Sequence, residues 1–183
     1  MVGIEDIGTA SSVPFSIPPR ASTKIQTLGL GPIGSPGWAL VHSDQPLHGS
    51  SIFQFTQGGV ILLEAGVANS PPTGSANAFV SNLLTVAGNR LNTGVAIVNP
   101  SEQAATAVLT LLDETRNFLV DRTLVLEPGH QLPRFIHELF PSQAANDSQG
   151  TLVVDCDQPI VITALRTQND VPMSSYPVGQ RIR

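Results

Sequence analysis

Residues 37–53 read GWALVHSDQPLHGSSIF and residues 150–166 read GTLVVDCDQPIVITALR, so a glycine, an apolar run and an Asp-Gln-Pro tripeptide recur 113 positions apart. The tripeptides are Asp44-Gln45-Pro46 and Asp157-Gln158-Pro159. The correspondence reaches outward, because Ile17-Pro18-Pro19-Arg20 answers Leu126-Glu127-Pro128-Gly129 and Ala65-Gly66-Val67 answers Tyr176-Pro177-Val178. A pattern repeated in this order marks two copies of one supersecondary unit, and each copy needs the rest of its own core to be stable. That need is met unevenly. The second copy has 47 residues, 79–125, ahead of the shared half, whereas the first has only residues 1–14. The first unit is therefore expected to lack its opening strands. Either the chain starts inside a longer protein, or its apolar strand faces and sheet edges are covered by another chain or by the N-terminal segment.

The repeated unit reads as β structure. Period-two alternation marks strands over residues 15–17, 23–28, 38–42, 51–55 and 60–65. Further on it marks 79–86, 91–98, 105–112, 118–126, 131–135, 151–155, 160–166 and 173–178. Breakers separate these runs: Asn99-Pro100-Ser101, residues 113–117, Glu127-Pro128-Gly129 and both Asp-Gln-Pro tripeptides. Only 13% of the chain is charged, while 16 glycines and 15 prolines are spread along it, a balance that favours many short strands over long helices. The one helical segment is FIHELF, residues 135–140, ended by Pro141, with Phe135, Leu139 and Phe140 turned inward as a cap on the open end of the unit. Residues 69–77, NSPPTGSAN, have no apolar periodicity and read as a linker. The expectation is an all-β chain of two tandem antiparallel sandwiches: a partial unit at 1–70, a linker at 71–78 and a complete unit at 79–183.

Several blocks in order, NTGVAIVNPS at 92–101, LTLLDETRN, LVLEPGHQLPRFIHELFP, GTLVVDCDQPIVITALRTQ and YPV, resemble Ig-like β-sandwich repeat modules of large exported bacterial proteins. FSIPPRAS and IFQFTQGGVILLEAGVANSP resemble the closing half of a preceding module. The resemblance implies an extracellular or cell-surface location and a structural or adhesive role, as a spacer or an assembly element. It transfers no catalytic residue, and no enzyme activity is expected. The open first unit adds a further expectation, a filament subunit joined by strand exchange to itself or to neighbouring modules. The donor segment would be the N-terminal stretch with Val2, Ile4 and Ile7, of which Val2 and Ile4 share a face. The rival from another class is an accessory domain that binds carbohydrate or another ligand. Trp38 and Tyr176, the sole tryptophan and tyrosine, leave few platforms for sugar stacking, and Trp38 is expected to pack in the first core.

Other chemistry finds little footing. Nine scattered Lys and Arg residues against 14 acidic ones, with a net charge of −5, give no footprint for nucleic acid. No apolar run is long enough to insert in a membrane, and residues 1–12 lack the basic start and apolar core of a secretory signal. The single cysteine, Cys156, reads as a small buried thiol. His42 and His48 flank the first Asp-Gln-Pro near Asp44 and Ser51, which makes a loose hydrolase constellation, but neighbours in a hairpin rarely form a triad and no G-x-S-x-G is present. Asp155 and Asp157 bracket Cys156 without an acidic calcium loop around them, and Asp157 is expected to start the turn instead. His130 and His137 lack cysteine partners at zinc spacing. Residues 29–37, GLGPIGSPG, are followed by no helix and read as a loop, not a phosphate cradle. No cofactor and no metal is expected.

Overall fold

Alternating runs become strands in this chain only where a neighbouring run accepts their backbone hydrogen bonds. The computed structural model describes residues 1–29, 37–143, 147–169 and 171–180. It divides into two compact units, Met1–Gly37 and Trp38–Arg183.

In the first unit β1 (Val2–Ile4) and β2 (Gly8–Ala10) form a short antiparallel hairpin. Residues near Thr27 line up along β1: Glu5 N–H donates to the Gln26 carbonyl (2.9 Å) and Leu28 N–H to the Gly3 carbonyl (2.8 Å). Among the described residues of this unit Ile4 is the one large apolar residue that is buried, while Val2, Ile7, Phe15, Ile25 and Leu28 are exposed. The strand expected at 15–17 does not form, and the one at 23–28 reduces to a single bridge at Thr27. Two three-residue strands give these runs no sheet to join. The loop at 29–37 lies almost wholly outside the described residues.

The second unit opens with residues 38–49, where the strand expected at 38–42 is absent, and continues into the hairpin of β3 (Ser50–Gln57) and β4 (Val60–Ala68). The rest is one connected antiparallel system: β5 (Thr73–Leu84), β6 (Arg90–Val98), β7 (Ala105–Asp113), β8 (Phe118–Leu126), β9 (Gln131–Phe135), the one-turn helix α1 (Ile136–Leu139), β10 (Ser148–Gln168), β11 (Val171–Tyr176) and β12 (Val178–Gln180). The fold is all-β, as expected. The expected domain boundary at 69–77 is corrected in part, because only residues 69–72 lie between strands and Thr73 begins β5. Small residues misled the reading: Ala76 and Ala78 face the core, and Ser75 and Asn77 pair opposite Asp155 and Val153 of β10.

β10 organises the unit. Two strands separated by a turn at Asp157-Gln158-Pro159 were expected; instead one 21-residue strand runs through, with its register broken between Asp155 and Ile160. Before the break β10 lies between β5 and β7; after it, residues 161–168 pair with β6, and 164–168 also pair with β11 on the other edge. Pro159 has no N–H to give to a ladder, so the tripeptide sits where the strand changes partners. Side chains bridge the gap: Asp157 Oδ1 accepts the Thr106 N–H (2.7 Å) and Asp155 Oδ1 accepts the Ser75 hydroxyl (2.7 Å). The turn role expected for Asp157 is thus replaced by a brace to β7.

Alternating residues of β5, β6, β7 and β10 enter one core. It gathers Ala76, Ala78 and Val80 of β5, Val95 and Ile97 of β6, Leu109 and Leu111 of β7, and Leu152, Val154, Ile160 and Ile162 of β10. Ile136, Leu139 and Phe140 close it from α1. The inward residue at the start of this segment is Ile136, not Phe135, which is half-buried and stacks on His137. Cys156 is buried and free, and burial pushes its thiol pKa up.

Candidate assembly edge

The β3–β4 hairpin differs from the rest of the second unit in what it leaves uncovered. Its register pairs Phe53 with Ala65, which share one face, while Ile52, Gln54, Gly66 and Glu64 share the other. Gln54 Nε2 donates to Glu64 Oε2 at 2.7 Å on that second face. Ala65 is buried, but Ile52 is 60% exposed, Phe53 45%, Ile61 52% and Leu62 55%. Apolar residues are thus exposed on both faces of the hairpin, and apolar surface left open in this way marks an interaction site. Among the described residues β3 pairs with β4 alone, so its outer edge presents unpaired backbone donors and acceptors. The sequence of β3, SSIFQFTQ, has no charge and no proline to protect that edge.

The expected donor residues stand apart from one another. Val2 and Ile7 are exposed, and Ile7 lies in the turn that joins β1 to β2. Ile4 is buried within its own unit, opposite Thr27. The three do not form one exposed stripe.

The polar candidates are occupied by structure. His42, Asp44 and Ser51 are exposed and no hydrogen bond joins them. His137 Nδ1 accepts from Asn92 Nδ2 at 2.7 Å, and Asn92, fully buried, also bonds the Thr93 N–H through its Oδ1 and receives the Thr167 hydroxyl at its backbone carbonyl. Among the described residues no group of three His, Cys, Asp or Glu side chains converges at metal-binding distance. Trp38 is 40% exposed and its Nε1–H donates to the Gly129 carbonyl (3.2 Å), so it does not enter a core; the strands that would bury it are not beside it. Tyr176 meets Phe79 edge to face at 5.4 Å between ring centres. No helix among the described residues is long and apolar enough to cross a membrane.

Sequence reasoning missed two polar hubs. Asn99, fully buried, donates through Nδ2 to the Gln103 and Leu126 carbonyls and accepts the Ser101 N–H and hydroxyl at Oδ1. Asp113 accepts from Thr115 and from Asn117 across the turn from β7 to β8, and the Thr115 hydroxyl is the first of the bonds that hold its carboxyl below the usual range. The Asn-Pro-Ser and Asp-x-Thr-x-Asn patterns were the available signals.

No protein-family model matches the chain, and no curated protein matches it. A solved structure, the Thermotoga maritima protein 1070, aligns over 59% of this chain and 90% of its own length at 15% identity, with a TM-score of 0.43.

Proposed function

We propose that this chain is a structural module of an extracellular or cell-surface assembly, an Ig-like sandwich unit that spaces and joins its neighbours. The observation behind this reading is the contrast inside the second unit. One part is a packed core sealed by α1, and the other is an apolar hairpin with an unprotected outer edge. A stable soluble protein covers or charges such an edge, so an uncovered one is best understood as a joint. The internal repeat and the resemblance to exported repeat modules point the same way.

The test is the solution mass of the full chain by size-exclusion chromatography with light scattering over a hundredfold range of concentration. Species above the monomer that grow with concentration, and that vanish on Phe53→Lys, are expected. A monomer at every concentration overturns self-assembly as the chain's role.

A further inference from the structure

The hairpins β3–β4 and β10–β11 are copies of each other in register as well as in sequence. In each the paired strands lie two residues apart in the chain, and Gly58 and Asn169, each the first residue after its leading strand, both take positive φ, 59° and 50°. Each bears one extra residue at the same place on its return strand. Phe55 pairs with Leu63 and Thr56 with Ile61, which skips Leu62; Arg166 pairs with Ser174 and Thr167 with Pro172, which skips Met173. Every one of these positions lies 111 residues from its counterpart, and Thr56-Gln57 and Val60 match Thr167-Gln168 and Val171 in identity. The spacing is 113 at Asp-Gln-Pro, so the arm into β3 is two residues longer. An even shift leaves each side chain on its original face.

On this correspondence β3, Ser50–Gln57, overlays residue for residue the segment 161–168 of β10. That segment has β11 on one edge and β6 on the other, running antiparallel from Val161 opposite Val98 to Gln168 opposite Leu91. β4 stands where β11 stands. The place of β6 is empty of strand among the described residues.

We propose that the outer edge of β3 accepts an antiparallel strand of the β6 kind from a neighbouring module of the same repeat. This rests on the assembly reading above and names its partner. The donor is an uncharged strand of small and apolar residues like Leu91–Val98, LNTGVAIV, whose buried Val95 and Ile97 face the core. The register is fixed by the turn: Thr56 stands opposite the donor residue at the place of Asn92, as Thr167 does in β10. Thr167 donates its hydroxyl to the Asn92 carbonyl at 3.2 Å, and Thr56 has the same hydroxyl at the same distance from its turn. Main-chain bonds would supply the affinity and this register the specificity.

The experiment uses the full chain and a synthetic peptide of the sequence of residues 90–100. A fluorescein-labelled peptide should bind the chain and a scrambled one should bind at least tenfold more weakly. Register is read by crosslinking under oxidised glutathione, with Thr56→Cys in the chain and cysteine in the peptide at the place of either Asn92 or Thr93. The only native cysteine, Cys156, is buried. The disulfide at the Asn92 place should form at least tenfold faster, because the neighbouring position points to the opposite face. Equal rates, or binding no better than the scrambled peptide, overturn the proposal. So do Thr56→Cys homodimers that persist in excess peptide, which would mean that β3 pairs with β3 of a second copy. A chain that stays monomeric yet captures the peptide in register upholds the acceptor edge while removing self-assembly.

Discussion

Gly150 and Gly37 hold the same place in the repeat but meet different surroundings. A Cβ added at Gly150 would collide with the Leu112 carbonyl oxygen and stand 3.0 Å from its carbon, because β7 pairs with β10 at that point. The obstacle is backbone in the middle of a sheet and cannot turn aside. At Gly37 an added Cβ meets nothing within 4 Å. Gly150→Ala is therefore expected to cost about 2–3 kcal/mol or more, as overpacking against an immobile neighbour does. Gly37→Ala should stay within about 0.5 kcal/mol, the ordinary range for surface changes. Urea denaturation of the full chain measures both. Equal losses would mean that residue 37 is packed as residue 150 is, and that the first copy has found its missing neighbours.

At the scale of elements, α1 shows how a segment too short to be stable alone is held from outside. It has four residues, and isolated helices need about 12–15 to be even marginal in water. The Phe135 N–H is satisfied by Glu138 Oε2 (2.8 Å) and the Leu139 carbonyl by the Arg122 guanidinium (3.0 Å), while Ile136, Leu139 and Phe140 sink into the core. Leu139→Asp would leave a carboxylate in that core without a partner. It should cost several kcal/mol and abolish cooperative thermal unfolding of the second unit; an unchanged melting curve would mean that α1 is not part of the core. This segment was legible from its helical spacing and from Pro141. Strands β6 to β9 were legible too, because their alternation is strong and their turns carry Asn, Asp, Pro and Gly. Residues 73–77 and 38–42 were not. The first is a strand whose inward residues are alanines and whose outward ones look like linker, and the second is apolar without neighbours to pair with. Asp-Gln-Pro was read as a turn because proline breaks ladders, but in β10 the break changes partners without reversing the chain.

For the whole molecule, the core of the second unit contains, among the described residues, none before Ala76. The packed strands, β5 to β12, close their sheet system and their hydrophobic cluster among themselves, while among the described residues β3 and β4 pair only with each other. The hairpin runs beside β11, and Trp38 adds a single bond to the Glu127–His130 region through the Gly129 carbonyl. Among the described residues neither supplies a buried side chain to the core cluster. Cooperative stability should therefore reside in residues 69–183, with the joining surface outside the cooperative unit. Such a division suits a spacer, because a joint that is not needed for folding can open and close without unfolding the module that bears it. Removal of residues 1–68 is expected to leave a protein that melts in one transition, within about 5 °C of the full chain, which corresponds to about 1 kcal/mol for a domain of this size. The same truncation should abolish binding of the 90–100 peptide. A much larger fall in melting temperature would show that the hairpin is a structural part of the unit, and an unchanged capture of the peptide would place the acceptor edge elsewhere.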